Sequence, residues 1–292
     1  LLTCTLLLSL SLPAAPIDFK QIPADSAWYL HVDSDAVRAA ESGAQIIQTI
    51  RRDEGARIRS FSAMFGFNPL TDLHSFTLLG NGREGEGTLL IHADFNRRHL
   101  EDLLGGADAY RKSQHGGFTL HHWEDEGKTQ HGAFARDDLV LVSDEEKNLQ
   151  AALDTFAGTA PSLQAKVPEK SVMVVGVADL KAISRLTKMP MDANRAELLK
   201  RAEGLRLTAR EQNGRIELSM TLETSDPELA VKLRRMGDGV MAMMEVGAPR
   251  LDDFGVKAET YLSNRDKDVV ASMTVPGKHI VALMEYLDSL EK

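Results

Sequence analysis

Histidine beside carboxylate is the pattern in this sequence with the widest chemical reach. Nine histidines occur in 292 residues, and eight of them lie between His31 and His131. His31 and Asp33 lie two apart at a strand end, as do His92 and Asp94, and residues two apart in a strand share a face. His121 and His122 are neighbours, so they project to opposite faces, with Glu124, Asp125 and Glu126 just beyond. Imidazole and carboxylate together suit zinc or another transition metal without any cysteine. The candidate metal ligands are therefore His31, Asp33, His92, His121 and His122, and the chemistry they would support is metal-dependent hydrolysis. The competing reading is structural: Asp94 caps a helix, Asp33 serves a turn, and no His-x-His or His-Glu-x-x-His spacing occurs. On that reading the chain holds no cofactor.

Other catalytic templates fit poorly. Gly80-Asn-Gly82-Arg-Glu-Gly85 has the spacing of a dinucleotide loop, but such a loop must open a helix. Here it leads into Gly87-Thr-Leu-Leu-Ile91, a strand pattern, so the glycines serve a hairpin turn. His115-Gly-Gly-Phe118 has the composition of an esterase oxyanion loop, yet the sequence has no Gly-x-Ser-x-Gly elbow to accompany it. Asp137-Asp138 and Asp252-Asp253 sit in turn-like contexts. Cys4 is the only cysteine, which excludes disulfides and cysteine metal clusters.

The elements that must position these groups run through one plan twice. A polar, proline-marked lead-in precedes a strand in each half, Pro23-Ala-Asp-Ser before 27–32 and Pro168-Glu-Lys-Ser before 172–177. Each strand leads through an aspartate into a helix, at Asp35 and Asp179, and His31 then corresponds to Gly176. A hairpin follows in each half (75–79 with 88–92, and 205–210 with 215–222). Next comes a helix opened by an aspartate cap, Asp94 or Asp226, with Pro227 suited to the first helical position. Further strands, the last pair over 255–262 and 269–275, lead to closing helices with apolar residues at Leu149, Ala152, Leu153, Phe156 and at Ile280, Leu283, Leu287, Leu290. Hairpins rather than crossovers imply an α+β fold of two similar halves, with mainly antiparallel sheets and helices packed on one face. The expected divisions are a leader at 1–15, a first half at 16–157, a linker at 158–167 and a second half at 168–292. Periodic apolar faces begin only after Pro23.

Three short motifs carry a family resemblance: Pro23-Ala-Asp25-Ser before a strand, Gly66-Phe-Asn-Pro69-Leu-Thr-Asp72-Leu73 after a long helix, and Asp138-Leu-Val-Leu-Val-Ser143 before Leu149 and Leu153. The chain resembles exported bacterial proteins of unknown function built from two similar α+β halves. That resemblance implies a fold and no catalytic residues. Gly66, Pro69 and Asp72 also read simply as a helix stop, a turn and a cap.

Residues 1–15, LLTCTLLLSLSLPAA, hold seven leucines and no charge, then small residues. This is the apolar core and cleavage region of a secretory signal, with cleavage near Ala14 or Ala15. At about a dozen apolar residues it is short of the roughly 20 a membrane span needs. The protein is therefore expected in the periplasm or outside the cell, with no integral membrane segment in its mature form. A net charge of −9 argues against nucleic acid or an anionic membrane as partner. The helix over 226–247 carries Leu229, Leu233, Met236, Val240 and Met243 at heptad-like spacing, with Met241 and Met244 beside them, and Gly237-Asp-Gly239 is expected to kink or break it. The reading as a whole is an exported, non-enzymatic binding or interaction protein. Its alternatives are the metal-dependent hydrolase and a carrier of an apolar ligand in a cleft between the halves.

Overall fold

The computed structural model describes residues 15–83, 86–165, 172–186, 201–247 and 259–290. The signal-like leader up to residue 14, Asp252-Asp253 and the first part of the 255–262 strand lie outside these residues, as do the side chains of Met241, Met243, Leu287 and their neighbours.

Strict alternation builds the central strand. Along β1 (Trp28–Asp33), Tyr29, His31 and Asp33 are buried and the residues between them are half-buried. Beyond it come β2 (Leu73–Gly80), β3 (Gly87–Ala93), β4 (Arg111–His115), β5 (Phe118–Asp125), β6 (Lys128–Arg136) and β7 (Leu139–Ser143). The second half supplies β8 (Val172–Asp179), β9 (Ala202–Gln212), β10 (Arg215–Thr224), β11 (Glu259–Arg265) and β12 (Asp268–Pro276). All join one twelve-stranded sheet in the order β11-β12-β10-β9-β8-β1-β2-β3-β7-β6-β5-β4, and every pairing is antiparallel. Two-residue hairpins fix the registers. Gly116-Gly117, Glu126-Gly127 and Asn213-Gly214 all have positive φ at both positions, as the tight hairpin turn requires.

The duplicated plan is visible in this order. Reading outward from the β1–β8 junction, each half places its first, second and third strands, then its last strand and the one before it. The first half adds β4 and β5 at the far edge. The matching aspartates are Asp33 and Asp179: each accepts a backbone N–H, from Ala36 and from Ala182, at 2.8 Å, and so caps the short helix that follows. These helices are α1 (Ser34–Ala39) and α5 (Leu180–Leu186). Aligning the caps shifts the strands by one residue from the 27/172 alignment that the prolines suggest. His31 therefore matches Val177 rather than Gly176, because a one-residue slip would exchange the two faces.

Helices cover both faces of the first half. α4 (Glu146–Phe156) sets Leu149, Ala152 and Leu153 against Leu120, Ala133, Leu139 and Leu141. Ile17, Phe19 and Ile22 join that core, so apolar packing begins before Pro23. A single 3-10 turn is too short to show a period. The stretch after α4 runs beside this lead-in, with Leu163 N–H donating to Ile22 O at 2.8 Å. On the opposite face stand the end of α2 (Glu41–Phe65) and α3 (Arg97–Gly105). Asn96, not Asp94, caps α3 through the His99 N–H; Asp94 is exposed beside His74. In the second half α6 (Pro227–Gly247) is capped by Asp226 as expected, and runs unbroken through Gly237 and Gly239. Leu283 and Tyr286 of α7 (Ile280–Leu290) pack on Val275.

α2 obtains its cap from far away in the sequence. Ala40 offers no capping side chain, and the carboxylate of Glu211 accepts the N–H groups of Glu41 and Ser42, both at 3.0 Å. A negative charge there also opposes the positive end of the helix dipole. Glu211→Ala is expected to lower the unfolding free energy by about 1 kcal/mol, read as a lower urea midpoint at unchanged slope.

Candidate functional site

The end of α2 stands over the face of the first-half sheet. Gly66 stops the helix in a left-handed conformation (φ 74°), its N–H returning to Ser62 O at 2.9 Å. His99 Nε2 donates to Met64 O at 2.8 Å and so ties α3 to this end. Between these helices and the sheet lies a cleft of about 280 Å³, walled by Phe61 and Phe65 of α2, Leu100 and Leu104 of α3, and Ile91 and Val142 of the sheet. An aromatic run follows it. Phe61 meets Phe67 edge-on at 5.3 Å, Phe67 meets Phe95 at 5.1 Å, and Phe134 lies 6.5 Å from Phe95 and 6.1 Å from His121. Of the lining residues, Phe61 and Leu103 remain exposed at the mouth. At its edge the Arg97 guanidinium lies 4.9 Å over the Phe134 ring and is paired with Glu101 and Asp137.

Within this apolar wall sits one buried polar group. His121 is 1% exposed and lines the cleft. Its Nδ1 is 2.8 Å from the Tyr110 hydroxyl, and its Nε2 is buried with no hydrogen-bond partner. Burial pushes its pKa below the usual histidine value, and Lys112 acts in the same direction, so the ring is neutral. Whichever way the Tyr110 hydrogen bond runs, Nε2 is left as a donor or an acceptor without a partner. Such an atom costs on the order of 1–3 kcal/mol when unsatisfied.

The sequence-predicted ligands do not meet at one point. His31 is on β1, its Nδ1 2.8 Å from Thr77 Oγ1 and its Nε2 donating to Ala15 O at 3.2 Å. Asp33 is occupied as a cap, with its second oxygen buried and unpartnered. His92, on β3, donates from Nε2 to Asp138 at 2.9 Å. The His92 ring lies 5.0 Å from that of His74. Burial works against charge on His74, but Asp94 and Asp35 at its two nitrogens hold its pKa above the ordinary value. His121 and His122 do face opposite sides of the sheet: His121 lines the cleft, and His122 lies on the α4 side. There His122 joins His131, a residue that sequence reasoning passed over. The signal was present, because the Glu126-Gly127 turn pairs Asp125 with Lys128 and so places His122 opposite His131.

No family model matches the chain, and no curated protein matches it in sequence. Its fold does have solved counterparts. It is similar to TP0453 in crystal form III, with a TM-score of 0.50 over 92% of this chain and 98% of that one, at 9% identity. Crystal form IV of TP0453 gives 0.51 over 93% and 97%, also at 9% identity. At such identity the likeness is one of fold, and it extends over nearly the whole chain. Among the described residues, no helix is long and apolar enough to cross a membrane.

Proposed function

We propose that this is an exported, non-enzymatic binding protein whose ligand is a short apolar chain or ring bearing one hydrogen-bonding group. The observation that carries the reading is the cleft: aromatic and aliphatic walls with a single unpartnered buried imidazole nitrogen among them. Ligand pockets have this composition, a mostly apolar lining with a few placed polar groups. The cleft's size lies near the lower end of the usual range of roughly 300–1,000 Å³, which favours a medium-chain acid or alcohol over a whole phospholipid. The apolar chain gains burial against the Phe61–Phe134 wall, and a carbonyl or hydroxyl meets His121 Nε2. The uncharged leucine run at the start of the sequence supports export. The cleft is built wholly from first-half elements and does not lie between the halves.

Trp123 lines the cleft and reports on it. Titrating a Trp28→Phe protein with decanoate, and in parallel with decanol, is expected to give a saturable change in Trp123 fluorescence. Leu103→Asp at the exposed mouth should weaken binding about tenfold or more, since it sets a charge where the chain enters. A response that rises linearly without saturating, or one indifferent to Leu103→Asp, would rule out this function.

A further inference from the structure

We infer that His122, His131 and Glu146 bind a divalent transition-metal ion of the zinc class, on the face of the sheet opposite the apolar cleft. The site draws on three elements. His122 of β5 and His131 of β6 are direct cross-strand partners, and Glu146 is the first residue of α4, which packs over that face. One donor atom from each lies within 4.8 Å of the other two. Among the described residues, no other group of three histidine, cysteine or acidic side chains converges in this way.

The hydrogen bonding around the pair prepares it for a metal. The two Nδ1 atoms are 2.7 Å apart, a contact that requires one ring to present a lone pair and the other a proton. His122 Nε2 is 2.7 Å from Ser113 Oγ. With Nε2–H donating to that hydroxyl, Nδ1 of His122 is the bare nitrogen. A second-shell hydrogen bond of this kind sets the tautomer of metal-bound histidines. Zinc takes the place of the shared proton: His131 changes tautomer, losing its hydrogen at Nδ1 and taking one up at Nε2 by exchange with solvent, so both rings stay neutral and both Nδ1 lone pairs turn to the ion. Zinc–nitrogen bonds of about 2.0–2.1 Å in a tetrahedral set hold two nitrogens roughly 3.3 Å apart. The rings therefore need to part by only about half an ångström. Two imidazoles and one carboxylate leave a fourth position for water. Asp144 and Glu145 add negative charge near His131, and Arg111 opposes them. Bound metal would fasten the start of α4 to the β5–β6 hairpin, two parts of the chain that otherwise meet only by packing.

Calorimetric titration of the chelator-treated full-length protein with zinc chloride is expected to show one ion per chain and a raised melting temperature. Cobalt(II) should give the visible absorption of a tetrahedral site. Glu146 is at the helix surface, so Glu146→Gln is expected to fold and to weaken zinc binding about tenfold or more. Ser113→Ala should cost about tenfold through the second shell. His92→Gln, remote from the cluster, should leave binding unchanged. Substoichiometric binding, or zinc affinity that survives Glu146→Gln and Ser113→Ala undiminished, overturns the site. Loss of affinity in His92→Gln would place the metal elsewhere and overturn it equally.

Discussion

Leu153→Ala is expected to lower the unfolding free energy by about 3–4 kcal/mol, close to the middle of the range for fully buried leucines. Leu153 is 0% exposed and lies in the cluster that joins α4 to the sheet, among Leu149, Leu139 and Leu141. Truncation removes the transfer free energy of the deleted carbons and leaves a void that close-packed neighbours fill only in part. Urea melts followed by circular dichroism measure the effect as a lower midpoint at unchanged slope. Leu103→Ala supplies the contrast. At 38% exposure on the cleft mouth it should cost well under about 1 kcal/mol. A loss below about 1 kcal/mol for Leu153→Ala would mean that α4 does not close the core as described.

Acidification from about pH 7 to about pH 4 is expected to remove about 3 kcal/mol of stability through His31 alone. Burial pushes its pKa from 6.5 down to about 4, only partly offset by the hydrogen bond to Ala15 O. His31 is 4% exposed, and its ring is held neutral: Nε2–H donates to Ala15 O, and Nδ1 accepts from the Thr77 hydroxyl. Below about 6.5 the unfolded chain takes up a proton that the folded chain refuses until about 4. The unfolded state thus binds more protons across that window, and stability rises with pH. The contribution is complete above the unfolded pKa and fades as pH falls towards the folded one. Burial also lowers the pKa values of His121, His122 and His131, which steepens the acid limb in the same sense. Comparison with His31→Gln isolates the single group. The variant's unfolding free energy, plotted against pH, should be flatter by that amount, and parallel curves for the two proteins would refute the assignment.

Much of the architecture was legible one element at a time. Alternation marked β1, the glycine-bearing turns marked the hairpins, and Asp179 and Asp226 marked two helix starts, because each of these signals acts over a few neighbouring residues. The repeated order of elements followed from the same local signals. Where two local signals competed, the outcome needed the fold. Asp94 and Asn96 are both good caps, and the chain after Ala93 delivers Asn96 to the helix axis and leaves Asp94 beside His74.

The cleft and the histidine cluster have a different origin. Phe61, Ile91, Leu104 and Val142 belong to four elements, and nothing in the spacing of any one of them announces a shared wall. Glu211 caps a helix 170 positions earlier in the chain. The register that sets His122 against His131 was readable from one hairpin turn, but the arrival of Glu146 depends on how α4 lies across the sheet. The sequence by itself determined period, turn and cap, because backbone sterics and nearest-neighbour hydrogen bonds decide those. Only the tertiary structure decided which side chains converge, because convergence depends on sheet twist, register and helix packing, which are settled jointly by residues distant in the chain.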